Sequence, residues 1–293
     1  VKAPYLFALY NRVHGFTRSE IGILYAIDNA TSLLLGPIVG SLCDIYGRKK
    51  FCVLYCGFII THISLRITGI RYLAYFAQIF TGLCSILIDT AFESWVNFQC
   101  NSLFDNDENG KKEKNSFLRE LFTKQVNIDC LCSILLTGVA TYLYIKFDIF
   151  YPFYCCILFA FIAGLLIIFL WDENNIQSDP MRRNLMSDIS NSWDQIRAKG
   201  SLMCLGSIES LLKIALILFM FIWTPLLEET VGAKIHPGAI FICFILARLM
   251  GSELFTVFII NLVCKSFTHK FVPNSFICKY NSSNVFLLLL SLL

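Results

Sequence analysis

Seven stretches of this sequence stay apolar for longer than a soluble fold requires: Glu20–Cys43, Phe51–Gly69, Tyr72–Phe98, Val126–Ile145, Ile149–Trp171, Ser201–Leu227 and Pro237–Cys264. A helix rising 1.5 Å per residue needs about 20 apolar residues to cross the hydrocarbon of a bilayer. Within that hydrocarbon each backbone N–H and C=O must be satisfied by the chain itself, so spans of this length read as helices. The expected fold is an all-α polytopic membrane protein with the lipid bilayer as its solvent. Val1–Tyr10 reads as the tail of an earlier helix and Val285–Leu293 as the start of a later one. The expectation is therefore a piece of a longer polytopic chain.

Composition agrees with the spans. The chain is 56% hydrophobic and 15% charged, with a mean hydropathy of +0.65, whereas soluble domains carry about 25% charged residues. A cytosolic globular enzyme, a nucleic-acid module and a disordered tail are thereby excluded. A net charge of +3 is too small to argue for an acidic partner. Most of the 13 cysteines lie inside apolar runs (Cys43, Cys52, Cys56, Cys84, Cys130, Cys132, Cys155, Cys156 and Cys243), where reduced thiols serve as small apolar side chains. No CxxC pair occurs and His14, His62, His236 and His269 are widely separated, so neither a metal site nor a cofactor is expected.

The basic residues fix an orientation. One set of loops carries fifteen: Arg48, Lys49 and Lys50; Lys111, Lys112, Lys114, Arg119 and Lys124; Arg182, Arg183, Arg197 and Lys199; Lys265, Lys270 and Lys279. The alternate set carries six: Arg12, Arg18, Arg66, Arg71, Lys146 and Lys234. The richer side is cytoplasmic by the positive-inside rule. Asn281-Ser-Ser283 fits an acceptor pattern for N-glycosylation, but it falls on that cytoplasmic side, which argues against its use. Of the longer loops on this side, Asn101–Gln125 is strongly charged and reads as solvated. Asp172–Lys199 holds a helix start at Ser178-Asp179-Pro180 and then Leu185, Ile189, Trp193 and Ile196 at helical spacing. That pattern fits an amphipathic helix on the membrane interface or an ordinary linker between two halves.

At the inner end of the first complete span the chain reads Gly40-Ser-Leu-Cys-Asp44-Ile-Tyr-Gly47-Arg48-Lys49-Lys50. Gly40 permits close approach of a neighbouring helix, and Gly47 supplies the positive-φ turn that reverses the chain. Asp44 is a boundary carboxylate that requires a cation or a helix N-terminus, while Arg48 and Lys49 anchor the loop. The arrangement resembles the G-x-x-x-D-x-x-G-R-K/R signature of the major facilitator superfamily, at the loop where that family carries it. The resemblance implies a relay from this motif to an acid at the inner end of the fourth helix. With Val1–Tyr10 counted as the end of the first helix, that helix is Tyr72–Phe98. It carries Asp89 and Glu93, four residues apart on one face, and Arg48 is expected to pair with Glu93, or with Asp89 as second choice.

Further segments narrow the likeness: Ala3-Pro4-Tyr5 with Leu9-Tyr10, Ala91-Phe92-Glu93-Ser94-Trp95, Trp223-Thr224-Pro225-Leu226 and Met250-Gly251-Ser252. In order and content they resemble the molybdate-anion transporters, up to about Cys264. The resemblance implies a bundle of about twelve helices, of which this chain holds an incomplete part, and molybdate uptake across the cell membrane. Its domains are expected as an N-terminal bundle over 1–171, a cytoplasmic linker over 172–200 and a partial C-terminal bundle over 201–293. Where chemistry would be read, the chain departs. Glu209 and Lys213 replace a Gln and an acid, and Arg248 and Glu253 replace small or neutral residues.

Depth along the helices is independent of that likeness. Lys213 lies roughly 18 Å in from the inner end of its span and Arg248 roughly 16 Å in from the outer end of the next, near the midplane where carriers bind solutes. A tetrahedral dianion is one candidate partner. Glu209 and Lys213, four apart, are equally able to neutralise each other, and Arg248 to pair across helices. The acids singled out within the spans are Asp28, Asp89, Glu93, Glu209 and Glu253. Protonation of Asp28 or Glu209 during the cycle would couple an anion to a proton, although Asp28 reads equally well as a hydrogen-bonded structural acid. Rival classes lack their marks. A seven-helix receptor would show an acidic-Arg-aromatic triplet and Asn-Pro-x-x-Tyr. A membrane enzyme would show a His/Asp or Ser/His grouping within the spans. An ATP-driven pump would show a Gly-rich phosphate loop. Within carriers, a sugar, an organic anion or an amino acid stands as the alternative solute.

Overall fold

A computed structural model describes residues 3–104, 108–173, 185–231 and 237–254. The described residues form helices joined by short turns, with no strand among them. Six helical segments are long and apolar enough to cross a membrane: Arg18–Tyr46, Arg48–Ile67, Arg71–Leu103, Glu113–Lys146, Tyr151–Leu170 and Gly200–Leu227. Each overlaps an expected span. The seventh, Pro237–Cys264, is described only as far as Leu254, as α10 (Pro237–Leu254). The helix start at 178–180, the glycosylation triplet at 281–283, the run 285–293 and His236 and His269 lie outside the described residues.

The first helix, α1 (Ala3–Ala8), ends in a π-turn at Leu9–Val13. Gly15, with φ 66°, turns the chain into α2 (Arg18–Tyr46). Thr17 and Glu20 start that helix with a capping box: the Thr17 hydroxyl accepts from the Glu20 N–H, and the Glu20 carboxylate accepts from the Thr17 N–H at 2.8 Å. A single residue, Gly47, separates α2 from α3 (Arg48–Ile67), and Gly69 (φ 73°) turns α3 into α4 (Arg71–Leu87). A π-turn over Ile88–Phe92 continues α4 into α5 (Glu93–Leu103).

One sequence expectation is corrected at α6, which runs from Glu108 to Lys146. The charged stretch expected as a solvated loop is helical from Glu108 onward. Glu, Lys, Leu and Arg are good helix formers, and Glu120 and Lys124 pair at 2.7 Å one turn apart. Polarity alone misidentifies such a segment. Next comes α7 (Tyr151–Leu170), opened by Pro152 in its first turn, then α8 (Leu185–Ala198) and α9 (Gly200–Val231). On α8, Trp193 and Ile196 are exposed and Arg197 covers the Trp193 ring at 5.2 Å.

By contacts the chain divides into two compact units, 1–102 with 143–202, and 103–142 with 203–293. Within the first, α2 packs on α4, and α3 on both α4 and α7. The tightest approach is at Gly82, where a Cβ would stand 2.6 Å from the Asp28 carbonyl oxygen and 2.7 Å from the Thr31 Cβ. The Ser32 hydroxyl donates to the Gly82 carbonyl at 3.1 Å across the same seam. The buried cluster of this unit comprises Val39, Cys43, Cys52, Cys56, Ile86, Leu87, Ala91 and Ile167. Its three cysteines are free thiols that fill space. On the outside Leu33, Leu34, Leu135, Phe169 and Leu170 are each at least 70% exposed. Such a surface is at rest in hydrocarbon and unstable in water.

Candidate functional site

The motif Gly40–Lys50 builds a compact site. Gly47 holds φ 105° and donates its N–H to the Cys43 carbonyl at 3.2 Å. A side chain there would be strained. Because the reversal takes one residue, Arg48 at the start of α3 falls beside Asp44 in the last turn of α2. Its Nη2 and Nε both donate to Asp44 Oδ1, at 2.9 and 3.2 Å. Its Nη1 donates to the main-chain carbonyl of Ser94 at 3.0 Å, and its guanidinium carbon lies 5.3 Å from the Phe98 ring centre. Arg48 thus ties the α2–α3 turn to the start of α5 and is only 12% exposed, against 44% for Asp44.

The partner differs from the Glu93 carboxylate expected from sequence. Arg48 reaches the backbone one residue beyond it, while Asp89 and Glu93 are both exposed. The physical reason is the π-turn, which places an extra residue between Asp89 and α5 and rotates the face of the helix beyond it. Gly40 also differs from its expected use. A Cβ there meets nothing within 4 Å, and the close approach of α2 occurs at Gly82 instead.

Lys49 joins the same turn to the end of α7. Its Nζ donates to the Ile168 carbonyl at 2.9 Å, and its N–H donates to Glu173 Oε1 at 3.3 Å. A cation therefore sits at the C-terminus of α7 and a carboxylate at the N-terminus of α3, both favoured by the helix dipoles. Alongside, Trp95 stacks on Trp171 with ring centres 3.9 Å apart, and its Nε1 donates to the Asp172 carbonyl at 3.1 Å.

The remaining candidates fall in two places. In the second unit Glu209 and Lys213 pair at 3.3 Å along α9. Of the two readings open for Arg248, the structure shows the cross-helix pair: its Nη1 donates to Asp129 Oδ2 at 3.1 Å. Asp129 is absent from the acids singled out within the spans, although a lone acid at the start of an apolar run is a signal that could have found it. Asp28 lies in α2 of the first unit, with its carbonyl against Gly82. Glu253 belongs to α10, and its side chain is outside what is described.

Two features at the end of α2 opposite the motif are also absent from the sequence expectations. Glu20 Oε1 accepts from Arg71 Nη1 at 2.6 Å, and Arg71 lies over the Phe16 ring at 5.4 Å. Deeper, Arg66 is 2% exposed and bonds Gln78 and Thr81, with Gln78 bonded on to Tyr10. By sequence Arg66 counts as a loop residue because it lies close to the end of its span. His14 closes this end, its Nε2 3.0 Å from the Arg66 carbonyl. Burial holds the His14 imidazole below the usual histidine value, and that hydrogen bond offsets part of the effect.

Among known proteins, a family described as sugar transporters, 12 TM, matches residues 1–282. The chain is 24% identical over 279 residues to a molybdate-anion transporter of Takifugu rubripes, covering 88% of this chain and 56% of that protein. It is 23% identical over 259 residues to one of Xenopus tropicalis (87% and 54%) and 24% identical over 281 residues to one of Danio rerio (87% and 55%). The chain spans about half the length of the curated relatives it matches. No solved structure matches it. Since the family match runs over nearly the whole chain, and the helices and the Asp44–Arg48 turn accord with it, this chain belongs to the twelve-helix transporter family of the major facilitator superfamily.

Proposed function

We propose that the chain is part of a secondary carrier that moves molybdate into the cell by alternating access, without enzymatic activity. The observation that carries the reading is Arg48. A guanidinium bonded at once to the turn that joins α2 and α3 and to the backbone of α5 can hold one arrangement of those helices and release another. Molybdate as solute is supported by the names of the curated relatives. A sugar or other small organic solute is the second reading, favoured by the description of the matching family.

In this reading an N-terminal bundle over 1–171 and a partial C-terminal bundle over 201–293 flank the linker 172–200, a division that differs from the two compact units described above, and the protein acts at the cell membrane. Asp28 or Glu209 carries a coupling proton. The deciding experiment expresses the complete protein in cells lacking molybdate uptake and measures accumulation with sulfate and sugars as competitors. Accumulation blocked by sulfate and indifferent to sugars supports the first reading, and the reverse supports the second. Uptake unchanged between about pH 5.5 and 7.5 would remove the proton from the scheme.

A further inference from the structure

We propose that Arg66 anchors an oxyanion-binding site inside the first compact unit, distinct from Lys213 and Arg248. The proposal rests on the oxyanion-carrier reading above and deepens it. Arg66 lies in the last turn of α3, yet it is 2% exposed. A guanidinium keeps its charge at any physiological pH, and a charge removed from water without a counter-charge is unfavourable. The side chains that bond it are neutral. Its Nη2 donates to Gln78 Oε1 at 2.8 Å and to the Thr81 hydroxyl at 2.6 Å. The Tyr10 ring centre lies 6.0 Å from its central carbon. Its Nε–H is buried and has no partner.

Among the described residues the side chains that bond this guanidinium are uncharged. Asp28 is the acid of the neighbourhood, since its charge and that of Arg66 both bear on Tyr10 and Tyr25. The Nε–H, which none of the described groups accepts, is the arm assigned to a solute. A planar fork with a free N–H arm suits two oxygens of one oxyanion. The Tyr10 hydroxyl, which accepts from Gln78 Nε2 at 2.9 Å, keeps its own proton for a further oxygen. By position, Gln78 lies roughly 10 Å along α4 from its first residue, on the side read as external. An ion arriving from outside would meet this site early.

The test uses the full-length protein in lipid nanodiscs, titrated calorimetrically with sodium molybdate, sodium sulfate and glucose. Arg66→Gln should weaken molybdate binding about tenfold or more, the loss of one charge-assisted bidentate contact. Arg66→Lys should recover only part of it, because the charge returns without the fork. Tyr10→Phe, which keeps the ring, should weaken binding about threefold, the value of one neutral hydrogen bond. Folding of each variant is checked by size-exclusion chromatography and thermal unfolding. A folded Arg66→Gln protein with wild-type affinity would overturn the proposal. If that variant does not fold, wild-type affinity in both Arg66→Lys and Tyr10→Phe would overturn it equally. Wild-type protein that binds no oxyanion would remove the carrier reading itself and this site with it. Binding unaffected by every Arg66 variant removes the site alone.

Discussion

Arg48 makes two kinds of contact, and they have different consequences under mutation. The carboxylate of Asp44 can be exchanged with it, but the Ser94 carbonyl cannot move to match. Arg48→Gln should cost on the order of 1.5–3 kcal/mol of the latched arrangement, the usual worth of a hydrogen bond to a charged group. On the proposed carrier reading, this should appear in the complete protein as a fall of about tenfold or more in solute accumulation. The swap Asp44→Arg with Arg48→Asp should recover only a minor part, since the backbone contact stays broken. Full recovery would show that the ion pair alone matters. The pairing with Asp44 was legible from the spacing, because four residues across a helix end bring two side chains together. The Ser94 contact was not, since a main-chain acceptor leaves no trace in residue type. Arg66 and Asp129 were hidden for another reason: each lies near the end of a span, where a count of charges by loop or membrane assigns them to the wrong side of the boundary.

His14 yields a prediction of its own. The imidazole is held neutral by burial, with its folded value below the ordinary 6.5. The unfolded chain therefore takes up the proton first as pH falls. The stabilisation is complete above about pH 6.5 and is lost as pH drops through the folded value. Between about pH 7.5 and 5.5 the unfolding temperature of wild-type protein should fall further than that of His14→Gln. Equal slopes would show that this ring does not contribute.

At the scale of elements, α2 and α4 meet closely at Gly82. A Cβ on Gly82 would overlap a carbonyl oxygen rather than a movable side chain, so Gly82→Ala should cost about 1–3 kcal/mol, the range for overpacking. Thermal unfolding in detergent would register it, and an unchanged midpoint would mean that the helices separate freely there. The start of α2 is a second handle. Thr17→Ala removes the capping box and should cost about 1 kcal/mol, measurable in the same way. Helix existence was legible because apolar length is a strong signal. What the sequence did not disclose is where a helix departs from regularity. Ile-Asp-Thr-Ala-Phe carries no proline or glycine to announce a π-turn, and Lys-rich segments such as the start of α6 look like loops until their helix-forming residues are weighed.

For the whole molecule, the exposed apolar side chains and the long apolar helices describe a protein made for a bilayer. Tyr46, at the end of α2, is 59% exposed beside the latch. In a Tyr46→Cys variant of the complete protein, an impermeant thiol reagent should label that position only after the membrane is opened. Labelling of intact cells would invert the orientation, and the latch would then face outward. Family membership is carried by the long match and the helices, while the proposed solute rests on fewer residues, Glu209, Lys213 and Arg248 among them. Among those residues the structure shows two neutralised pairs, Glu209–Lys213 and Asp129–Arg248. This shifts attention toward a cation bonded only to neutral groups.

The reciprocal bonds of Lys49 and Glu173 link positions far apart in sequence. Lys49 closes the end of α7 at Ile168, and Glu173, just past that end, closes the start of α3. Residue 173 follows the end of α7 at Leu170 closely. Tension applied to the chain beyond it would be delivered straight to the arginine turn, with no intervening span to absorb it.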